Sequence, residues 1–342
     1  MNLAAADRIA KAVLYEGYLL YPYRPSALKN QQRFNFGVAY PQTYSERQNG
    51  TDPWIMCSEC LVEGSVLSRI EVRVCFLQLV DRSVNELIDG RFRPVKSLRV
   101  DGDTFYAWQE AIEREVRVPP TDVDLLNRHP ILHSFQFSSR LDEEFVSDKQ
   151  MTPVGRIARS QQAIDGLLSV TAHPVADNVF KITVQVKNFT KVDEEINREL
   201  ALLCSLVSAH IVLGVDEGQF VSLLDPPKQL RAAADQCHNQ GVFPVLVGEP
   251  GQRDTVLASP IILYDYPQIA PESAGDLFDG AEIDEILSLR ILTMTDEEKR
   301  EMRESDERAR QMLERTETMP AEQFMKLHGV LRGLRPLNEE TP

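Results

Sequence analysis

Strict period-two alternation of β-branched residues constrains this chain more than any other feature. In 179–189 the residues Phe180, Ile182, Val184 and Val186 fall on one side, with Lys181, Thr183, Gln185 and Lys187 opposite. In 70–76 Ile70, Val72, Val74 and Phe76 share a face against Glu71, Arg73 and Cys75. Successive side chains of a strand point to opposite faces, so this spacing predicts half-buried antiparallel strands. Weaker runs of the same kind lie at 55–62, 95–100, 104–118, 132–138 and 166–172, and 242–247 and 256–264 read as buried strands. The segment 209–224 reads as a hairpin with arms HIVLGV and QFVSLL, turned at Asp216, Glu217 and Gly218. Helices are expected at 3–14, 195–206 and 228–238. The fold class that follows is α+β, mainly β: an antiparallel β-sandwich-like core with short helices and a charged C-terminal helical tail.

Length adds a boundary. A chain of 342 residues leaves room for about two domains. Residues 1–268 are expected to form a strand-rich core, with a division into two β units near 150–160 as the alternative. Residues 269–342 are expected to form an acidic loop and C-terminal helices. Between Asp265 and Glu285 lie seven carboxylates and no Lys or Arg. From Asp296 to Glu317 nearly every residue is charged, behind a capping box of Thr295 and Glu298. A helix polar nearly all round is expected to face solvent or a partner. A last helix starting at Pro320 carries a narrow apolar stripe that includes Phe324 and Leu331.

Charge restricts the partners. A net charge of -15 disfavours nucleic acid and anionic membrane surfaces, both of which need clustered Lys and Arg. The N-terminal segment lacks the basic-then-apolar order of a secretory signal, and no window approaches a bilayer-spanning apolar run; both point to the cytoplasm. Five scattered cysteines read as reduced thiols rather than a disulfide framework.

No motif in the sequence calls for a cofactor or nominates a catalytic residue. There is no G-x-S-x-G elbow, no H-E-x-x-H and no phosphate-cradling Gly loop. Cys57-x-x-Cys60 is the one pair with metal-ligand spacing. Zinc needs four ligands, and Cys237, His238, His129 and His133 are the residues that could complete the set. Buried free thiols are the plainer reading. The stretch DLFDGAEIDEI fails as an EF-hand, because with Gly280 sixth the first, third and twelfth positions are Gly275, Leu277 and Ile286. Its carboxylates, Asp276, Asp279, Glu282, Asp284 and Glu285, suit a solvated surface or the docking of a basic protein partner. Tyr15, Tyr18 and Tyr21 form an aromatic cluster of the sort that anchors interfaces or packs a domain edge.

Three stretches carry a family resemblance: AVLYEGYLLYPYRPSALKNQ (12–31), SLVSAHIVLGVDEGQFVSLLDPP (205–227) and SPIILYDYPQIAPESAGDLFDGAEIDEILSLRILTMTDEEKREM (259–302). Together they resemble an uncharacterised bacterial family encoded in gene clusters of actinobacterial-type, high-affinity nickel–iron uptake hydrogenases. The resemblance implies a non-enzymatic accessory protein in assembly or maturation of such a hydrogenase, bound to a subunit or another maturation factor. It carries no catalytic residue with it. The alternative is a metal-binding or metal-delivery protein using Cys57 and Cys60 or the acidic loop.

Overall fold

The computed structural model describes residues 3–15, 37–268, 284–305 and 307–320. The chain is mainly β, as the alternation predicts. Its axis is one strand of 34 residues, β1 (Ile55–Ile88). A straight strand of that length would span on the order of 110 Å, so β1 bends and changes partners along its course. Ile55–Glu63 pairs antiparallel with β10 (Val179–Asn188), and Leu61–Leu77 with β11 (Val207–Val221). Further along, Arg69–Arg82 pairs with β5 (Trp108–Asp122), Val80–Glu86 with β8 (Pro153–Gln161), and Val84–Ile88 with β2 (Arg91–Val95). The sheet extends outward through β9 (Ile164–Ala176) to β6 (Ile131–Phe137) on one side. On the other it reaches β13 (Thr255–Ser259) and β12 (Phe243–Leu246).

One apolar core takes side chains from most of these strands. Val72, Val74 and Phe76 of β1 meet Ile182, Val184 and Val186 of β10, Leu168 and Val170 of β9, and Ile211 and Leu213 of β11. Val123 and Leu126 of the short helix α3 (Val123–Arg128) pack into the same core. The result is sandwich-like: strands of one large antiparallel sheet enclose a shared interior.

Beyond the core, β1 runs into an arm. There β2, the end of β1, β8 and β7 (Arg140–Ser147) make a four-strand array. One of its faces is covered by the hairpin of β3 (Ser97–Val100) and β4 (Asp103–Tyr106) around Val84, Leu98, Val146 and Ile157. The hairpin fits closely. A Cβ on Gly155 would lie 2.2 Å from Leu98 Cδ2 and 2.7 Å from the Asn85 carbonyl oxygen.

Helices cover the outside of the main sheet. They are α1 (Leu3–Leu14), α4 (Arg198–Leu203, capped by Asn197), α6 (Asp284–Leu292), α7 (Asp296–Ser305) and α8 (Glu307–Glu317). The capping box before α7 forms reciprocally: Glu298 N–H donates to Thr295 Oγ1 at 3.2 Å, and Thr295 N–H to Glu298 Oε2 at 2.9 Å.

Several expectations need correction. The segment 209–224 is no hairpin: β11 runs straight through, because both arms pair with β1 rather than with each other. The turn-like residues face a bulge of β1, where residues 65–68 lie opposite Glu217 alone; Glu217 is at φ 58 and Ser68 Oγ donates to its carbonyl. The run 104–118 is split between β4 and β5, and the helix expected at 228–238 is a 3-10 turn, Lys228–Leu230, followed by the four-residue α5 (Arg231–Ala234). The charged stretch 296–317 does not stand free. It forms two helices whose narrow stripe of Met302, Ala309, Met312 and Leu313 is buried with Leu77, Leu79 and Trp108.

Candidate functional site

Where α1 and α8 lie on the sheet, a group of charged and polar side chains joins helices to strands beside the apolar contacts. Tyr15, just past α1, is 2% exposed, and its hydroxyl donates to Glu113 Oε1 of β5 at 2.7 Å. The Arg308 guanidinium of α8 stacks 3.8 Å from the Tyr15 ring centroid, donates to the Tyr15 oxygen and pairs with Glu113 at 3.2 Å. Burial, reinforced by the Glu113 bond, pushes the Tyr15 phenol far above its ordinary range. Tyr15 is therefore an internal tie between the two ends of the described chain, not a surface anchor.

Beside it, Arg73 of β1 is 6% exposed and bonds Asp7 of α1 at 2.7 Å, with Glu115 of β5 at 3.7 Å. Strand register sets His210, Cys75 and Glu115 directly across three adjacent strands. A thiol between an imidazole and a carboxylate is a grouping that nucleophilic catalysis uses. Here its electrostatics run the wrong way. Burial and then Glu115 push the Cys75 thiol up to about 12, and burial holds the His210 imidazole down to about 4. A reactive cysteine needs the opposite environment, electropositive and lowered. This cluster binds helices to sheet.

The Cys57–Cys60 pair separates in the same way. Three residues apart on β1, the two side chains leave opposite faces. Cys60 is buried in the core, where burial raises its thiol strongly. Cys57 lies on the other face, where Gln185 Nε2 donates to its sulfur at 3.9 Å. Between them, burial alone would raise the Glu59 carboxyl. Donation from His238 N–H, Lys181 and Thr183 outweighs it and lowers the pKa. Among the described residues no three His, Cys, Asp or Glu side chains gather as a metal site. Tyr18, Tyr21, Asp276, Asp279, Glu282, Phe324 and Leu331 lie outside the described residues; Asp284 and Glu285 open α6.

The open surface lies on the arm. On the face away from the β3–β4 hairpin, Leu141 and Phe145 of β7 are 62% and 61% exposed. Phe145 stands opposite Arg156 of β8 in the pairing register. The Arg156 guanidinium lies 4.8 Å from the Phe92 ring centroid, the Phe92 and Phe145 rings are 5.9 Å apart, and Arg156 pairs with Glu143 at 2.7 Å. With that charge met, the aromatic edges and Leu141 are what this surface offers a neighbour. Aromatic and Arg side chains held in place by neighbours are the composition of interface hot spots.

No protein-family model matches the chain, and no curated protein matches it.

Sequence reading missed this surface for a definable reason. Residues 140–147, RLDEEFVS, carry acidic residues on both faces of the strand, so Leu141 and Phe145 give no alternation signal beyond their spacing of four. Their facing partners, Arg156 and Phe92, are remote in sequence. Chemically the face can bury apolar area and accept a hydrogen-bonding partner at the free edge of β7, which among the described residues pairs only with β8. No helix among the described residues is long and apolar enough to cross a membrane.

Proposed function

We propose that the protein is a cytoplasmic, non-enzymatic accessory factor that acts by binding another protein during assembly or maturation of a nickel–iron hydrogenase. The exposed Leu141–Phe145 face, braced by Phe92 and Arg156, carries the binding half of this reading. Two large apolar side chains held exposed on one face of an edge strand, Leu141 and Phe145, are surface that a partner can bury. The resemblance of 12–31, 205–227 and 259–302 supports the hydrogenase context.

The test is co-purification from cells that express the hydrogenase. Tagged protein is expected to retain a hydrogenase subunit or maturation factor, and the double variant Leu141→Ala, Phe145→Ala to lose it with an unchanged unfolding midpoint. Retention of neither protein, together with undiminished hydrogenase activity in a deletion strain, overturns the function. Undiminished retention by the double variant overturns the surface alone.

A further inference from the structure

A second surface, remote in character from the arm, encloses a hollow beside the start of β1. The helix α2 (Gln42–Arg47) ends in a left-handed hook, with Asn49 at φ 54 and Gly50 at φ 74. The hook, the entry to β1 and residue Gln240 surround a hollow of about 350 Å³ lined by Ser45, Glu46, Asn49, Pro53, Trp54 and Gln240 among others. That volume falls at the lower end of small-ligand sites.

Three polar side chains of the lining, Ser45, Asn49 and Gln240, are not tied up elsewhere among the described residues. Ser45 is 1% exposed, and its hydroxyl has no hydrogen-bond partner. A buried polar atom left unmet costs about 1–3 kcal/mol, so such an atom beside a hollow calls for an explanation. Gln240 spends its backbone on Cys57, donating and accepting at 2.9 and 3.0 Å, which fixes its position while leaving its amide uncommitted among the described residues. The Asn49 amide is likewise uncommitted; Asn tolerates the left-handed backbone that presents it. Trp54 rests against Phe189 with ring centroids 5.5 Å apart, which fixes the indole as one wall.

We infer that this hollow binds a neutral, hydroxyl-rich ring, a saccharide of one or two units. The chemistry of the lining selects it. Hydroxyl and amide groups both donate and accept, as sugar hydroxyls require, and an indole flanked by Pro53 and Ile55 suits the C–H face of a pyranose. Anions are disfavoured: the nearby Arg47 guanidinium is turned to the Ile196 carbonyl at 2.6 Å and the Tyr44 ring, and the charged lining group is a carboxylate. Cations have only Glu46, which already accepts from Gln42 Nε2 at 2.7 Å. This inference uses none of the arm residues and stands apart from the protein-binding reading.

Saturation-transfer NMR on the full-length protein, with glucose, N-acetylglucosamine and maltose as probes, tests it. A saturable signal is expected from at least one sugar, with a dissociation constant of about 1 mM or tighter. Asn49→Ala and Gln240→Ala, both at exposed positions, are expected to weaken it about tenfold each. Ser45→Ala should do the same where it folds. In Trp108→Phe protein, Trp54 is the sole tryptophan, and its emission should titrate with the same constant. No saturable response to any of the three sugars overturns the inference. So does an equal change in Trp54 emission with inorganic phosphate or methylammonium, or a sugar response unaffected by Asn49→Ala and Gln240→Ala.

Discussion

The same face of β1 is treated in two ways along its length. At Arg73, Leu77 and Leu79 it is roofed by α1 and α8, and charged groups at the joint are met across it. The register with β5 and then β8 continues unbroken past Val80, so Asn85 and Leu87 carry that face onto the arm. There Phe145 and Leu141 stay exposed and Phe92 is only half-buried. Apolar residues on one continuous surface are therefore core where the chain's own ends return over them and contact surface where they do not. Burial here is decided by the reach of the tail, not by local composition.

The sharpest way to break that contrast is to delete one apolar side chain from each region. Leu313→Ala in α8 empties a fully buried position and is expected to cost about 2–5 kcal/mol, the range for large-to-small changes in a packed core. Phe145→Ala removes a larger side chain from the arm and is expected to cost under about 0.5 kcal/mol, as exposed substitutions do. Urea unfolding of the two variants measures both. Equal losses would mean that the arm face is as buried as the joint, and the distinction between them would fail.

Acid probes the covered region next. His210 is buried between sheet and helices, and its imidazole titrates at about 4 rather than near its ordinary value of 6.5. Burial is the main cause, the Arg73 charge adds to it, and the Ser208 carbonyl bond and Glu113 oppose it. The unfolded chain binds this proton more readily, so stability is complete above about pH 6.5 and falls as pH drops toward 4. The loss is on the order of 3 kcal/mol, since each pH unit between those two values contributes about 1.4 kcal/mol. In His210→Gln protein the slope of stability between pH 6.5 and 4 should flatten. A slope identical to that of the wild-type protein would remove His210 as its source.

What the sequence disclosed follows the same division. The strands 70–76 and 179–189 were legible because each buries one face wholly, which forces alternation. The bulge opposite Glu217 was not, since Asp-Glu-Gly between two apolar runs has the composition of a turn; only the pairing of both runs with β1 distinguishes the cases. The docking of α7 and α8 was hidden because four apolar positions in 22 residues suffice when Leu77, Leu79 and Trp108 complete the layer from elsewhere. Cys57 and Cys60, conspicuous in sequence, fall on opposite faces of a strand. The arm face and the hollow beside Trp54 were invisible for a common reason: each assembles residues from segments tens to hundreds of positions apart.

The arm's own covered side supplies a smaller test. Gly155→Ala would drive a Cβ against the Asn85 carbonyl and Leu98, and a backbone atom cannot yield as a side-chain tip can. A cost of about 1–3 kcal/mol is expected, with loosening confined to the β3–β4 hairpin. Hydrogen exchange should show faster amides at 97–106 and unchanged protection in β10. Uniform acceleration across both would mean that arm and core unfold as one unit.

A smaller loss than that of Gly155→Ala is expected at the joint itself. Arg308→Ala removes the Tyr15 stack and the Glu113 pair together, yet its guanidinium is partly solvated, so the loss should be about 1 kcal/mol. Because part of that is a screened ion pair, the gap between wild-type and variant unfolding should narrow in about 1 M salt. Arg308→Lys keeps the charge but loses the planar stack, and should recover less than the full difference. If Arg308→Ala instead matches Leu313→Ala in its cost, the polar tie rather than the apolar stripe holds α8 down, and the covered region owes its closure to charge.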